Sequence, residues 1–84
     1  MTIPHYLLRP GVHFLNHGSY GACPARVLER FHAWHRELEA QPVEFLNRRF
    51  RGLMHEARAN LGAYLNADPA WLVFVPNATH ALNI

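Results

Sequence analysis

Apolar residues fall at helical spacing in two stretches of the chain and in an unbroken run in a third. From Pro24 onward, Val27, Leu28, Phe31, Trp34 and Leu38 recur at three- and four-residue steps. This predicts an amphipathic helix that stops near Ala40, ahead of Pro42. Pro24 is expected as its first residue, where a missing N–H costs nothing. A second helix is predicted from about Val43 to Leu65, with the stripe Leu46, Phe50, Leu53, Ala57, Leu61, Tyr64 and Leu65 and with Asn66 as its C-terminal cap. Gly52 and Gly62 weaken that helix by about 1 kcal/mol each without ending it. Asp68-Pro69 reads as a turn in which Asp68 caps a short helical turn.

Leu72-Val73-Phe74-Val75 is a continuous apolar run rich in β-branched residues, the pattern of a strand covered on both faces. Pro76 and Asn77 end it, and Ala78 to Ile84 reads as a helix beginning. The first 23 residues are irregular, punctuated by Pro4, Pro10, Gly11, Gly18 and Gly21, with Val12 to Leu15 as a short candidate strand before the turn-prone Asn16-His17-Gly18-Ser19. A strand buried on both faces needs ladder partners for its backbone groups, and two short strands are marginal. The expectation is therefore an α/β protein of which these 84 residues are an N-terminal fragment, the rest of the sheet lying beyond Ile84. Residues 1 to 70 are read as the arm and helices, and residues 71 to 84 as the start of a larger domain.

Composition removes several alternatives. The single cysteine, Cys23, forms no internal disulfide, and no zinc framework of paired cysteines exists. Net charge is +2 and 17% of residues are charged, too sparse for the basic face of a nucleic-acid module. No apolar run approaches the roughly 20 residues of a membrane span, and the start does not read as a signal peptide, so a cytoplasmic protein without nucleic-acid or membrane partners is expected. All eight basic residues are arginine. Without a lysine, no side-chain amine is available to form a Schiff base.

The chemistry-bearing pattern is VFVPNATHALN, a strand, a tight turn and a helix N-terminus. Small residues at the turn let backbone amides approach a ligand, the first helical turn offers unpaired N–H groups, and Thr79 adds a hydroxyl, which together suit a phosphate. The same pattern also serves a helix that Asn77 or Thr79 merely caps. His32, His35 and His55 lack a clear third and fourth partner for a metal site and read as solvent-facing or boundary residues, so no metal is expected. Cys23 has no evident base beside it and reads as a packing or capping residue. Arg48, Arg49, Arg51 and Arg58 read as a solvated face, and Trp34 and Trp71 as core or interface anchors.

Three blocks, FLNHGSYGACP, ELEAQPVEF and LVFVPNATHALN, together resemble class V aminotransferases in order and spacing across residues 12 to 84. The likeness is to the isopenicillin N epimerase-like branch of that fold-type I, pyridoxal-phosphate-dependent superfamily. The resemblance implies an irregular arm, two amphipathic helices, and the first strand and phosphate loop of a large domain. It implies that Asn77, Ala78 and Thr79 hold the phosphate of pyridoxal 5'-phosphate, and that Asn16, His17 and Gly18 line the substrate side. A glycine-rich turn that only packs the arm is the competing reading of the second group. The resemblance further implies an amino acid substrate, a homodimer, and transamination, epimerisation or desulfuration as the reaction of the complete enzyme. The lysine, the aspartate facing the pyridine nitrogen, the ring-stacking residue and the carboxylate-binding arginine of the family have no counterparts in these residues, so no catalytic residue is assigned and the fragment alone is expected to be inert. The rival expectation is a free-standing helical module that binds a protein partner and carries no cofactor.

Overall fold

A computed structural model describes residues 3–84. The chain divides between Pro42 and Val43 into two compact units.

In the first unit, Pro10 and Gly11 make a tight turn. The Val12 N–H donates to the Arg9 carbonyl at 3.2 Å, and Gly11 takes φ 82°, a left-handed conformation that glycine adopts without steric cost. The chain then returns on itself. Tyr6 and Pro24 form an antiparallel bridge, and the Ala25 N–H donates to the His5 carbonyl at 2.7 Å. Helix α1 comes next, Ala25–Ala40. Pro24 stands one residue ahead of the helix, not in it. Its ψ of 141° is extended, while its carbonyl accepts the Leu28 N–H at 3.1 Å. The predicted stripe is only partly covered: Leu28, Trp34 and Leu38 are half-buried, while Val27 and Phe31 remain 56% and 52% exposed. The Arg30 guanidinium lies 4.7 Å from the centre of the Trp34 ring, one helical turn along.

The second predicted helix is interrupted. A helical turn α2, Pro42–Glu44, leads into a π-helical turn, Phe45–Arg49, and then into α3, Phe50–Leu65. A π turn inserts one extra residue and rotates the remainder of the helix by about 100° against an uninterrupted one. The sequence stripe placed Leu46 in the core. The structure buries Phe45 instead, at 8% exposure, and leaves Leu46 at 53%. The Arg49 guanidinium sits 5.4 Å from the Phe45 ring centre.

Asn66 ends α3 as the pattern predicts, in the left-handed region at φ 55°, ψ 47°, which asparagine tolerates better than other side-chain-bearing residues. The Ala67 N–H donates back to the Gly62 carbonyl at 2.9 Å. A short 3₁₀ turn, Pro69–Trp71, is capped by Asp68, whose Oδ1 accepts the Ala70 N–H at 2.9 Å.

Two expectations are corrected. Leu72 to Val75 forms no ladder, and neither does Val12 to Leu15; among the described residues the structure is helical and its one β contact is the Tyr6–Pro24 bridge. A strand exists only through its hydrogen-bonded neighbour, and no second extended segment pairs with residues 72–75. The α/β sheet is therefore absent from these residues, and Val73 is 78% exposed. Trp71, read as an anchor, is also exposed. Ala25 and Phe45 are the buried apolar residues among those described.

Candidate functional site

Asn77 opens helix α4, Ala78–Leu82. Its backbone is fully extended, and its Oδ1 accepts the His80 N–H at 2.7 Å. Its carbonyl takes the Ala81 N–H at 3.2 Å. The side chain thus performs the capping role that the sequence left open. That arrangement satisfies the third and fourth amides of the helix. Among the described residues, the Ala78 and Thr79 amides meet no acceptor, as the first amides of any helix must. Both residues are exposed, and the Thr79 carbonyl is tied down by the Asn83 Nδ2 at 2.9 Å. Among the described residues the loop thus presents two open N–H groups and a hydroxyl with no hydrogen-bond partner.

The second candidate group lies in the first unit. Asn16, His17 and Gly18 share one exposed turn. His17 Nδ1 accepts the Ala22 N–H at 3.2 Å, and its ring packs against Phe14 and Tyr6. Gly18 has open space where a side chain would stand, so packing within the chain does not require glycine there. The two candidate groups belong to different units.

Other sequence candidates fall into plain structural roles. His32 and His35 flank the Phe31 ring, at 5.9 and 4.3 Å between centroids. Among the described residues no three potential metal ligands come together. The Cys23 thiol donates to the Pro24 carbonyl at 3.5 Å. A feature that residue spacing did not reveal is a shallow groove of about 430 Å³ lined by Phe50, Arg51, Met54 and Arg58 of α3 and by Val73 and Phe74. Phe50, Met54 and Arg58 recur every four residues, which places half of the lining on one helix face, but Val73 and Phe74 come from the run after the helix.

Comparison with known proteins adds a chemical context. The chain is 37% identical over 78 residues to isopenicillin N epimerase of Streptomyces clavuligerus, a match covering 93% of this chain and 20% of that protein. It resembles an epimerase along nearly its whole length. It is 40% identical over 77 residues to isopenicillin N epimerase of Amycolatopsis lactamdurans, covering 92% of this chain and 19% of the other. A third relative, L-cysteine desulfhydrase of Arabidopsis thaliana, is 41% identical over 76 residues, covering 88% and 16%. The chain spans about a fifth of the length of the curated relatives it matches. No family model matches the chain, and no solved structure matches it. No described helix is long and apolar enough to cross a membrane.

Proposed function

We propose that this chain is the N-terminal part of a pyridoxal-phosphate-dependent enzyme of the class V aminotransferase type, acting on an amino acid. The observation that carries the reading is similarity at 36–41% identity, over 88–93% of the chain, to enzymes named as an epimerase and a desulfhydrase.

The donor set at α4 suits the phosphate end of the cofactor. The two open amides of Ala78 and Thr79 and the Thr79 hydroxyl all donate, no carboxylate is bonded to them among the described residues, and the helix dipole favours an anion there. Asn77 contributes by holding the first turn in shape, its Oδ1 already committed to His80. When bound, the cofactor supplies an electron sink for negative charge developing at the substrate α-carbon. The chain has no lysine, so the amine that the cofactor needs comes from elsewhere in the enzyme. In the same reading Asn16, His17 and Gly18 face the substrate, and the enzyme is a cytoplasmic homodimer.

The test begins with the intact mass of the protein from its native source. A mass several times 9.7 kDa agrees with the reading, and a mass of 9.7 kDa overturns it. In the full-length protein, Thr79→Val is expected to weaken pyridoxal phosphate binding about tenfold to a hundredfold, the weight of a hydrogen bond to a charged group. Equilibrium titration by cofactor absorbance measures it, and unchanged affinity would remove Thr79 from the site.

A further inference from the structure

His17 is exposed yet held by one hydrogen bond and two ring contacts. His17 Nδ1 accepts the Ala22 backbone N–H at 3.2 Å. A backbone N–H can only donate, so Nδ1 carries a lone pair and the proton of the neutral ring is on Nε2. The ring stands edge-on to Phe14, 4.8 Å between centroids with an interplanar angle of 80°, and lies tilted against Tyr6 at 5.7 Å. Tyr6 in turn bridges Pro24, and the neighbouring Ala25 N–H is bonded to His5. Close packing continues at Gly21, where an added Cβ would stand 3.3 Å from the His17 carbonyl oxygen. One imidazole thus meets Tyr6 and Phe14 of the arm and the Ala22 backbone in the segment that leads into α1.

We propose that His17 is the positioning residue of the arm in its neutral form, and that protonation at Nδ1 releases the turn from His17 to Ala22. A proton on Nδ1 turns that nitrogen into a donor facing a donor, and the hydrogen bond to Ala22 is lost. Of the groups packed on the ring, Tyr6 is titratable and Phe14 is not. No carboxylate or guanidinium is bonded to the ring among the described residues, so nothing compensates the new charge in place. Asn16 and Gly18 share the turn, and their positions depend on the protonation of His17. The inference does not depend on the enzyme reading, because it rests on the arm alone.

Hydrogen exchange of peptides covering residues 17–25 tests it, in the protein as its native source produces it, between about pH 8 and pH 5, with intrinsic exchange corrected for pH. In the wild type, protection of this segment is expected to fall about tenfold on acidification, the weight of one hydrogen bond, while peptides of α3 keep theirs. His17→Asn places a non-titrating acceptor near the position of Nδ1 and is expected to retain protection across the whole range. His17→Gln, whose acceptor lies one bond farther out, is expected to lack protection at every pH. Wild-type protection that ignores pH overturns the proposal. So does loss of α3 protection at the same pH, which would mean general unfolding, or identical behaviour of the Asn and Gln variants.

Discussion

A methyl group at position 62 would stand 2.7 Å from the Ala67 carbonyl oxygen and 3.0 Å from Pro69 Cγ. Neither neighbour yields easily, one being backbone and the other a ring. Gly62→Ala gains about 1 kcal/mol of helix propensity but loses more to overpacking, by about 1–3 kcal/mol. The expected result is a net loss in chemical denaturation of the full-length protein; a net gain would mean that the Ala67–Pro69 return is soft. Sequence reasoning counted Gly62 as a simple weakness, because its constraint comes from where the chain returns after the helix has ended. Asn66 was legible for the opposite reason. Its left-handed backbone answers to a preference of the residue itself. Asn66→Gly is expected to be neutral or slightly stabilising, and Asn66→Val to cost about 1–2 kcal/mol, both read from the same unfolding curves. Asn77 was legible as far as residue type allowed, since the same amide could cap a helix or face a ligand and only the bond to His80 decides its side chain's work.

At the scale of the element, the helices appeared in the pattern with boundaries close to those observed, since spacing and proline are local signals. The π turn did not appear, because a stripe drawn at a fixed period carries its phase straight through residues 45–49. The consequence is testable in two neighbours. Phe45→Ala is expected to cost about 3 kcal/mol, as removal of a buried aromatic does, and Leu46→Ala less than about 1 kcal/mol, as at a half-exposed site. Thermal unfolding of the full-length variants measures both, and the reverse order would restore the uninterrupted stripe. The run from Leu72 to Val75 reads in the sequence as a strand, and among the described residues it has no ladder partner. Composition signals the willingness to join a sheet, whereas pairing depends on another segment.

For the whole molecule, the apolar surface left open decides behaviour. Val27, Phe31, Leu46, Trp71 and Val73 each keep about half or more of their surface in water, and the buried apolar residues described are Ala25 and Phe45. The isolated 84-residue chain is expected to melt gradually, to bind hydrophobic dyes and to associate, while keeping much of its helical circular dichroism. A sharp, concentration-independent transition would show a self-sufficient domain and revive the reading as an independent module. Candidate loops were recognisable from residue type and order, and the two of them lie in separate units.

The π turn at Phe45–Arg49 also changes what a deletion would mean. Removing one residue there shortens the polypeptide yet makes the helix more regular, since the surplus residue is the defect. The cost is taken as rotation: Val43 and Glu44 are dialled by about 100° relative to everything from Phe50 onward. Chain length at this point is therefore read by the fold as an angle, and an indel here acts as a change of orientation between two stretches of one helix.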